Sequence, residues 1–181
     1  MTIDRCLKGR FVIIEDVQCE DGTEIHDMTV IKHSVIGKDN KIWNFVNIYN
    51  CTIGDDNVIS SFVEMGKSKI GSHNKIEAGV FIPPGVTIGN YCFIGPAVKF
   101  ANDKYPKVSD NQWSWTVGEV KIGDYVSIGI GSIILPGITI GEHSFIAAGS
   151  LVASDVPPHS FAMGRPAHVV SMQVMKELGI L

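Results

Sequence analysis

Bulky aliphatic residues recur along this chain at every sixth position. The series runs Ile36, Ile42, Ile48; Ile53, Ile59, Met65; Ile70, Ile76, Ile82; Ile88, Ile94, Phe100. After a break it resumes as Ile122, Ile128, Ile134; Ile140, Ile146, Val152. This spacing fits neither an amphipathic helix nor the plain alternation of a long strand. It predicts a short strand, a corner, a short strand and a corner, with the bulky residue pointing inward each time. Three such strands make one turn of about 18 residues, with occasional five-residue steps. The dipeptide Ile-Gly marks many of the turns, as at Ile36-Gly37, Ile53-Gly54, Ile70-Gly71, Ile88-Gly89, Ile122-Gly123 and Ile140-Gly141. Asp39-Asn40, Asp55-Asp56-Asn57, His73-Asn74 and Gly89-Asn90 fall at corners, where residues that tolerate positive φ are expected. The pattern is that of an all-β, parallel solenoid of triangular section, folded as a single domain over 1–181.

The ends and the break depart from this rhythm. The first ~30 residues are expected to form an irregular first coil that blunts the open sheet edges. At the other end Asp155-Val156-Pro157-Pro158 is expected to halt the repeat and open a cap over 153–181. Within the cap Val170, Val174 and Leu178 stand at helical spacing, which predicts a short terminal helix. The break between Phe100 and Ile122 reads ANDKYPKVSDNQWSWTVGEV, an excursion over 101–119 that is polar and carries aromatic residues. Excursions of this length in compact domains usually carry function.

Composition narrows the field. Of 181 residues, 45% are hydrophobic and 19% charged, enough apolar surface to build a core and too little charge for disorder. The net charge of −4, without a basic cluster, argues against nucleic-acid binding. No apolar run is long enough for a membrane span, and the opening MTIDRCLKGRFVIIED lacks the form of a signal peptide, so a cytoplasmic protein is expected. Cys6, Cys19, Cys51 and Cys92 are widely spaced with no CxxC pair, which predicts no metal site and four reduced thiols, with Cys51 and Cys92 as small core fillers.

The hexad array, the run Phe100-Ala101-Asn102-Asp103-Lys104-Tyr105-Pro106 and the ending Asp155-Val156-Pro157-Pro158 to Gly164-Arg165-Pro166-Ala167 together resemble the hexapeptide-repeat acyltransferases, which fold as left-handed β-helices. Within them the chain is most similar to the N-acetyltransferases that modify nucleotide-linked 3-amino sugars for surface polysaccharide such as lipopolysaccharide. The resemblance covers about residues 30 to 170. It implies a homotrimer, acetyl-CoA as donor, a UDP- or dTDP-linked amino sugar as acceptor, and active sites in grooves between neighbouring prisms. It also implies that Asn102 meets the sugar amine and that Trp115 belongs to the site. Lys41 to Ile48 fits as well, and brings Asn44 to the substrate. Relatives usually carry histidine where Asn44, Asn47 and Gly79 stand, and a carboxylate where Pro84 stands.

The residues themselves speak to the chemistry. Acyl transfer from a thioester needs an aligned nucleophile, a donor for the developing oxyanion and a path for the proton. A hydroxyl acceptor needs a strong base, normally histidine, whereas an amine needs less. None of the six histidines lies in the excursion, which favours an amine oriented by Asn102, with Asp103 as proton acceptor or turn cap. Lys104 suits a nucleotide diphosphate, and Tyr105 is grouped with it as substrate-binding. Gly131-Ser132 and Gly149-Ser150 stand 18 residues apart and are expected to stack at one corner, where small residues admit pantetheine. The guanidinium of Arg165 suits the coenzyme phosphates. The rival readings are an O-acetyltransferase using His73 or His143, a non-catalytic prism, and a zinc enzyme on the same fold, which the histidine spacing disfavours. Val80 and Ile130 are expected to face outward against a neighbour.

Overall fold

The computed structural model describes residues 6–107, 116–177 and 179. Three sheets of 10, 8 and 7 strands form the faces of a triangular prism, parallel throughout except for one terminal hairpin. The chain visits the faces in rotation, so strands paired within a sheet lie one coil apart in sequence. The solenoid is left-handed.

Most strands are two or three residues long, and side chains alternate across a strand, so most supply one inward residue, while Val86–Ile88 and Val120–Ile122 supply two. On the first face Ile25, Ile42, Ile59, Ile76, Ile94, Ile128 and Ile146 pair in succession. The second face stacks Ile31, Ile48, Met65 and Ile82, then Phe100, Ile134 and Val152. The third stacks Cys19, Ile36, Ile53, Ile70, Ile88, Ile122 and Ile140. All of these are buried, and together they are the core.

The coil length is finer than the repeat suggested. From the first to the second face (the first corner) and from the third back to the first (the third corner), inward residues are always six apart. From the second to the third face (the second corner) the step is five in the early coils, as from Ile48 to Ile53, six from Ile82 to Ile88 and from Ile134 to Ile140, 22 across the excursion from Phe100 to Ile122, and four from Val152 to Val156. Hydrogen bonds up the third corner accordingly span 17 residues at Asn57 and Asn74 and 18 at Cys92.

The Ile-Gly glycines follow a different rule from the one expected. None of Gly37, Gly54, Gly71, Gly89, Gly123 and Gly141 has positive φ. They form a column where the next coil passes against the backbone: a Cβ on Gly71 would lie 2.5 Å from the Gly89 carbonyl oxygen, and one on Gly123 would lie 2.6 Å from the Glu142 amide nitrogen. The positive-φ position of the third corner comes two residues later and holds Asp39, Asp56, His73, Tyr91, Tyr125, His143 and His159. The rings from His73 to His159 stack in one continuous ladder with centroids 4.5–5.0 Å apart. Stacking offsets part of the left-handed backbone's cost, about 1 kcal/mol per residue. The corner asparagines Asn40, Asn57 and Asn74 turn inward instead and are buried.

Both ends are more regular than expected. Strands at Leu7–Lys8, Ile13–Glu15 and Gln18–Cys19 already keep the coil register. Asp155-Val156-Pro157-Pro158 does not halt the repeat. Val156 bridges to Ile140, His159 continues the ladder, and Ser160–Gly164 pairs parallel to Phe145–Ile146. The chain then turns back as an antiparallel strand, Ala167–Ser171, before a helix at Met172–Glu177 in which the Ser171 hydroxyl accepts the Val174 N–H. Leu178 lies outside the described residues.

The cysteines divide two and two. Cys6 and Cys19 form a disulfide with Cα atoms 6.7 Å apart, against the expectation of four thiols. Spacing along the chain conceals that residues 13 apart face each other across the first coil. Cys51 and Cys92 are free and buried in the core, where desolvation pushes each thiol up to about 11.

Candidate functional site

The excursion leaves the prism at the second corner. Its stalk is antiparallel: Asp103 bridges to Val117, and the Gly118 N–H donates to the Asn102 carbonyl at 2.8 Å. The stalk is seated between two Pro-Gly coils. Gly85, at φ +93, lies beneath Val117, and a Cβ there would come 2.5 Å from the Val117 Cγ1. On the other side a Cβ on Gly118 would lie 2.7 Å from the Pro136 Cβ.

Two expected site residues help to hold that stalk. The Asn102 side-chain amide donates to the Pro84 carbonyl at 3.1 Å, fixing its plane against the coil below. Asp103 accepts the Tyr105 N–H at 3.0 Å, an Asx turn that shapes the next step of the chain. Both are half-buried. Lys104 and Tyr105 are exposed beyond them, with the Lys104 ammonium 5.7 Å from the Tyr105 ring centroid. Residues 108–115, and with them Trp113 and Trp115, lie outside the described residues.

The remaining expected residues gather on the first corner, a different edge of the same prism. Gly131 and Gly149 occupy its positive-φ position with open space where a Cβ would be. Arg165 reaches this column and donates from Nη1 to the Gly149 carbonyl at 3.3 Å. Ser132 and Ser150 are buried and turn inward. Each donates to the Ala147 carbonyl, and Ser150 also accepts the Gly164 N–H. At the surface this column therefore offers backbone rather than hydroxyl groups. Asn44 lies three coils below Gly131's neighbour Ala97 on the same corner, and its carbonyl accepts the Phe62 N–H. Of the pair expected to face outward, Ile130 does, at 56% exposure, while Val80 is a buried corner residue.

Sequence reasoning missed the partners of these groups. Pro84 acts through its backbone carbonyl, which no residue type announces. Lys99 donates from Nζ to the Gly79 carbonyl, placing a cation at the first corner although its own strand lies on the second face. His73 and His143 belong to the third-corner ladder, away from both groups, and His73 also lies 3.6 Å from Asp56. Among the described residues no cluster of three or more metal-ligating side chains occurs.

Comparison with known proteins identifies the family. The bacterial transferase hexapeptide (six repeats) model matches residues 33–67, 67–102 and 119–154. The chain belongs to that family. A Schizosaccharomyces pombe protein with an acetyltransferase name is 41% identical over 85 residues, 45% of this chain and 41% of that protein. The Escherichia coli galactoside O-acetyltransferase is 37% identical over 90 residues, 47% of this chain and 43% of that one. These matches span less than half the length of either relative. Among solved structures, a UDP-N-acetylglucosamine acyltransferase superposes over 97% of this chain and 73% of its own, with TM-score 0.75 and 22% identity. A histidine-to-alanine mutant of the GDP-perosamine N-acetyl transferase of Caulobacter crescentus, in complex with CoA and GDP-perosamine, covers 88% of this chain and 57% of its own, with TM-score 0.52 and 20% identity. At these identities the two structures speak to the fold.

Proposed function

We propose that the chain is an acetyl-CoA-dependent N-acetyltransferase acting on the amino group of a UDP- or dTDP-linked 3-amino sugar, in the assembly of surface polysaccharide. The stalk of the excursion carries this reading. Asn102 is anchored through its amide nitrogen, which fixes the direction of Oδ1, an acceptor for an amine N–H. Asp103 supplies a carboxylate beside it, and the described part of the excursion holds no histidine to deprotonate a hydroxyl. The amine nitrogen attacks the thioester carbonyl carbon, the C–N bond forms and the C–S bond breaks. The proton shed by nitrogen passes by way of Asp103 to the departing CoA thiolate. The acetyltransferase names of the relatives support the choice of donor, and the CoA and GDP-perosamine held by the C. crescentus enzyme support a CoA donor and an amino-sugar acceptor.

The reading includes a homotrimer, because one prism keeps its two groups of site residues on different edges. Apposed prisms in a threefold assembly bring the first corner of one, with Asn44, Gly131, Gly149 and Arg165, toward the excursion of the next. Both substrates place the reaction in the cytoplasm. Among the described residues no helix is long and apolar enough to cross a membrane.

A panel of nucleotide-linked amino sugars incubated with acetyl-CoA and read by mass spectrometry tests the activity, and gain of one acetyl group is the expected result. Light scattering tests the assembly, and a stable monomer at micromolar concentration overturns the shared site. O-acetyl transfer is the second reading, favoured by the likeness to the galactoside enzyme. It requires His73→Ala or His143→Ala to abolish activity while Asn102→Ala survives.

A further inference from the structure

On the first corner, the positive-φ position holds large apolar side chains in four successive coils, Phe11, Met28, Phe45 and Phe62, and then changes abruptly to Gly79 and Ala97. Phe45 and Phe62 stack with centroids 5.2 Å apart and planes 1° from parallel. The next rung is missing. A Cβ on Gly79 would meet no atom within 4 Å, so this coil supplies no side chain at the rung above Phe62, and Phe62 is 64% exposed. The contrast lies on the third corner, where the ladder from His73 to His159 runs on unbroken and each inner ring is covered on both faces.

A cation stands beside the missing rung. The Lys99 ammonium donates to the carbonyl of Gly79 itself. A flat aromatic face next to a lone ammonium suits a ligand that is planar and apolar at one end and anionic at the other.

We propose that Phe62 and Gly79 form a stacking slot for the base of a nucleoside phosphate, with Lys99 meeting its phosphate. The base takes the place of the absent ring and extends the Phe45–Phe62 stack by one rung. Stacking tolerates any base, because every base has a π-face. This rests on the reading above for the presence of nucleotide substrates. Two of them supply the chemistry: the pyrimidine nucleotide of the sugar acceptor, and the adenosine phosphate of the acyl donor.

The test measures binding of UDP, dTDP, adenosine 3′,5′-bisphosphate and their parent nucleosides by calorimetry to the wild type, Phe62→Ala, Gly79→Phe and Lys99→Ala. Gly79→Phe supplies the missing rung from the protein itself. Its backbone, at φ +70, matches that of Phe45 and Phe62, at φ 60 and 63, so the corner already accommodates phenylalanine in this conformation. Phe62→Ala removes an exposed ring and guards against a folding failure in the other variant. At least one probe is expected to bind the wild type, and to lose about tenfold in affinity in both Phe62→Ala and Gly79→Phe, the scale of one base–aromatic stack. Lys99→Ala is expected to weaken the phosphorylated probe and leave the parent nucleoside unchanged. Preference for UDP or dTDP assigns the slot to the acceptor, and preference for the adenosine bisphosphate assigns it to the donor.

Wild-type affinity in Gly79→Phe, or no binding of any probe to the wild type, overturns the slot. Acetyl transfer measured on the same samples separates the two claims. Transfer by the wild type with unchanged nucleotide binding in Gly79→Phe removes the slot alone. Nucleotide binding that Gly79→Phe abolishes, in a protein without acetyl transfer, removes the acyltransferase reading alone.

Discussion

Asn57 joins three coils through one side chain. Its amide nitrogen donates to Asn40 Oδ1 at 3.0 Å in the coil below and to the Gly71 carbonyl at 3.0 Å in the coil above. Its own Oδ1 accepts the Asn74 N–H at 2.9 Å. These bonds run inside the third corner, where water does not reach, since Asn57 is 0% exposed.

Asn57→Ala is therefore expected to cost about 2 kcal/mol, because it strands the buried Asn74 N–H and leaves the half-buried Gly71 carbonyl without its donor. Urea unfolding monitored by circular dichroism measures it. A loss below about 1 kcal/mol would mean that the corner rearranges to satisfy both groups.

The two buried thiols predict a loss of stability in alkali. Their pKa in the fold is about 11, raised from 9.0 by burial. Below the unfolded value both states hold the proton and the thiols contribute no pH dependence. Above it the unfolded chain ionises while the fold does not, so stability falls by about 1.4 kcal/mol per pH unit per thiol until the folded value is passed. The expected observation is a steeper decline from pH 9 to 11 in the wild type than in the Cys51→Ala, Cys92→Ala double variant. Matching slopes would show that neither thiol keeps its proton.

Asn102→Ala is expected to lower kcat/KM for an amino-sugar acceptor by about two orders of magnitude, the scale of one orienting electrostatic contact. Unfolding stability should fall by only about 1 kcal/mol, the worth of the bond to Pro84. An equal collapse of both would reduce Asn102 to a stalk residue. Asp103→Asn should retain the acceptor for the Tyr105 N–H, so its loss of rate should shrink at high pH, where solvent supplies free amine.

Arg165→Ala should raise the KM for acetyl-CoA more than it lowers kcat. A guanidinium at Gly149 that grips a distant part of the donor binds ground and transition states alike. Steady-state kinetics with varied acetyl-CoA decide this, and a fall in kcat at constant KM would move Arg165 to the reacting centre.

The core was legible because it obeys one rule. The inward residue from Ile36 to Val152 can be read directly, since most short strands have one interior position. The corners were less legible, because two kinds of glycine look alike in sequence. Gly71 is small so that the next coil can approach, whereas Gly131 is small at a left-handed φ. Tyr91 and Tyr125 occupy the same conformation as Asp39, which composition rules for turns would not suggest. The last coil was hidden by Pro157 and Pro158, whose missing N–H groups read as a stop. Yet the coil continues through Val156 on one side and Ser160 on the other. Asn102 and Arg165 could be picked out by type, but the carbonyl of Pro84 and the far-reaching ammonium of Lys99 depend on distances that no pattern of residue types encodes.

The unequal corners have an evolutionary and an engineering consequence. At the first and third corners every described coil keeps a step of six residues, so neither corner shows room for a longer connection. The second corner already absorbs steps of five and six residues and the whole 101–119 excursion while the register on either side is kept. Among the described residues it is the corner where the length of the connection varies, and so the seam at which new sequence fits most readily. Exchanging the excursion for another of different length should therefore leave the scaffold's folding intact, which thermal unfolding of the chimera measures.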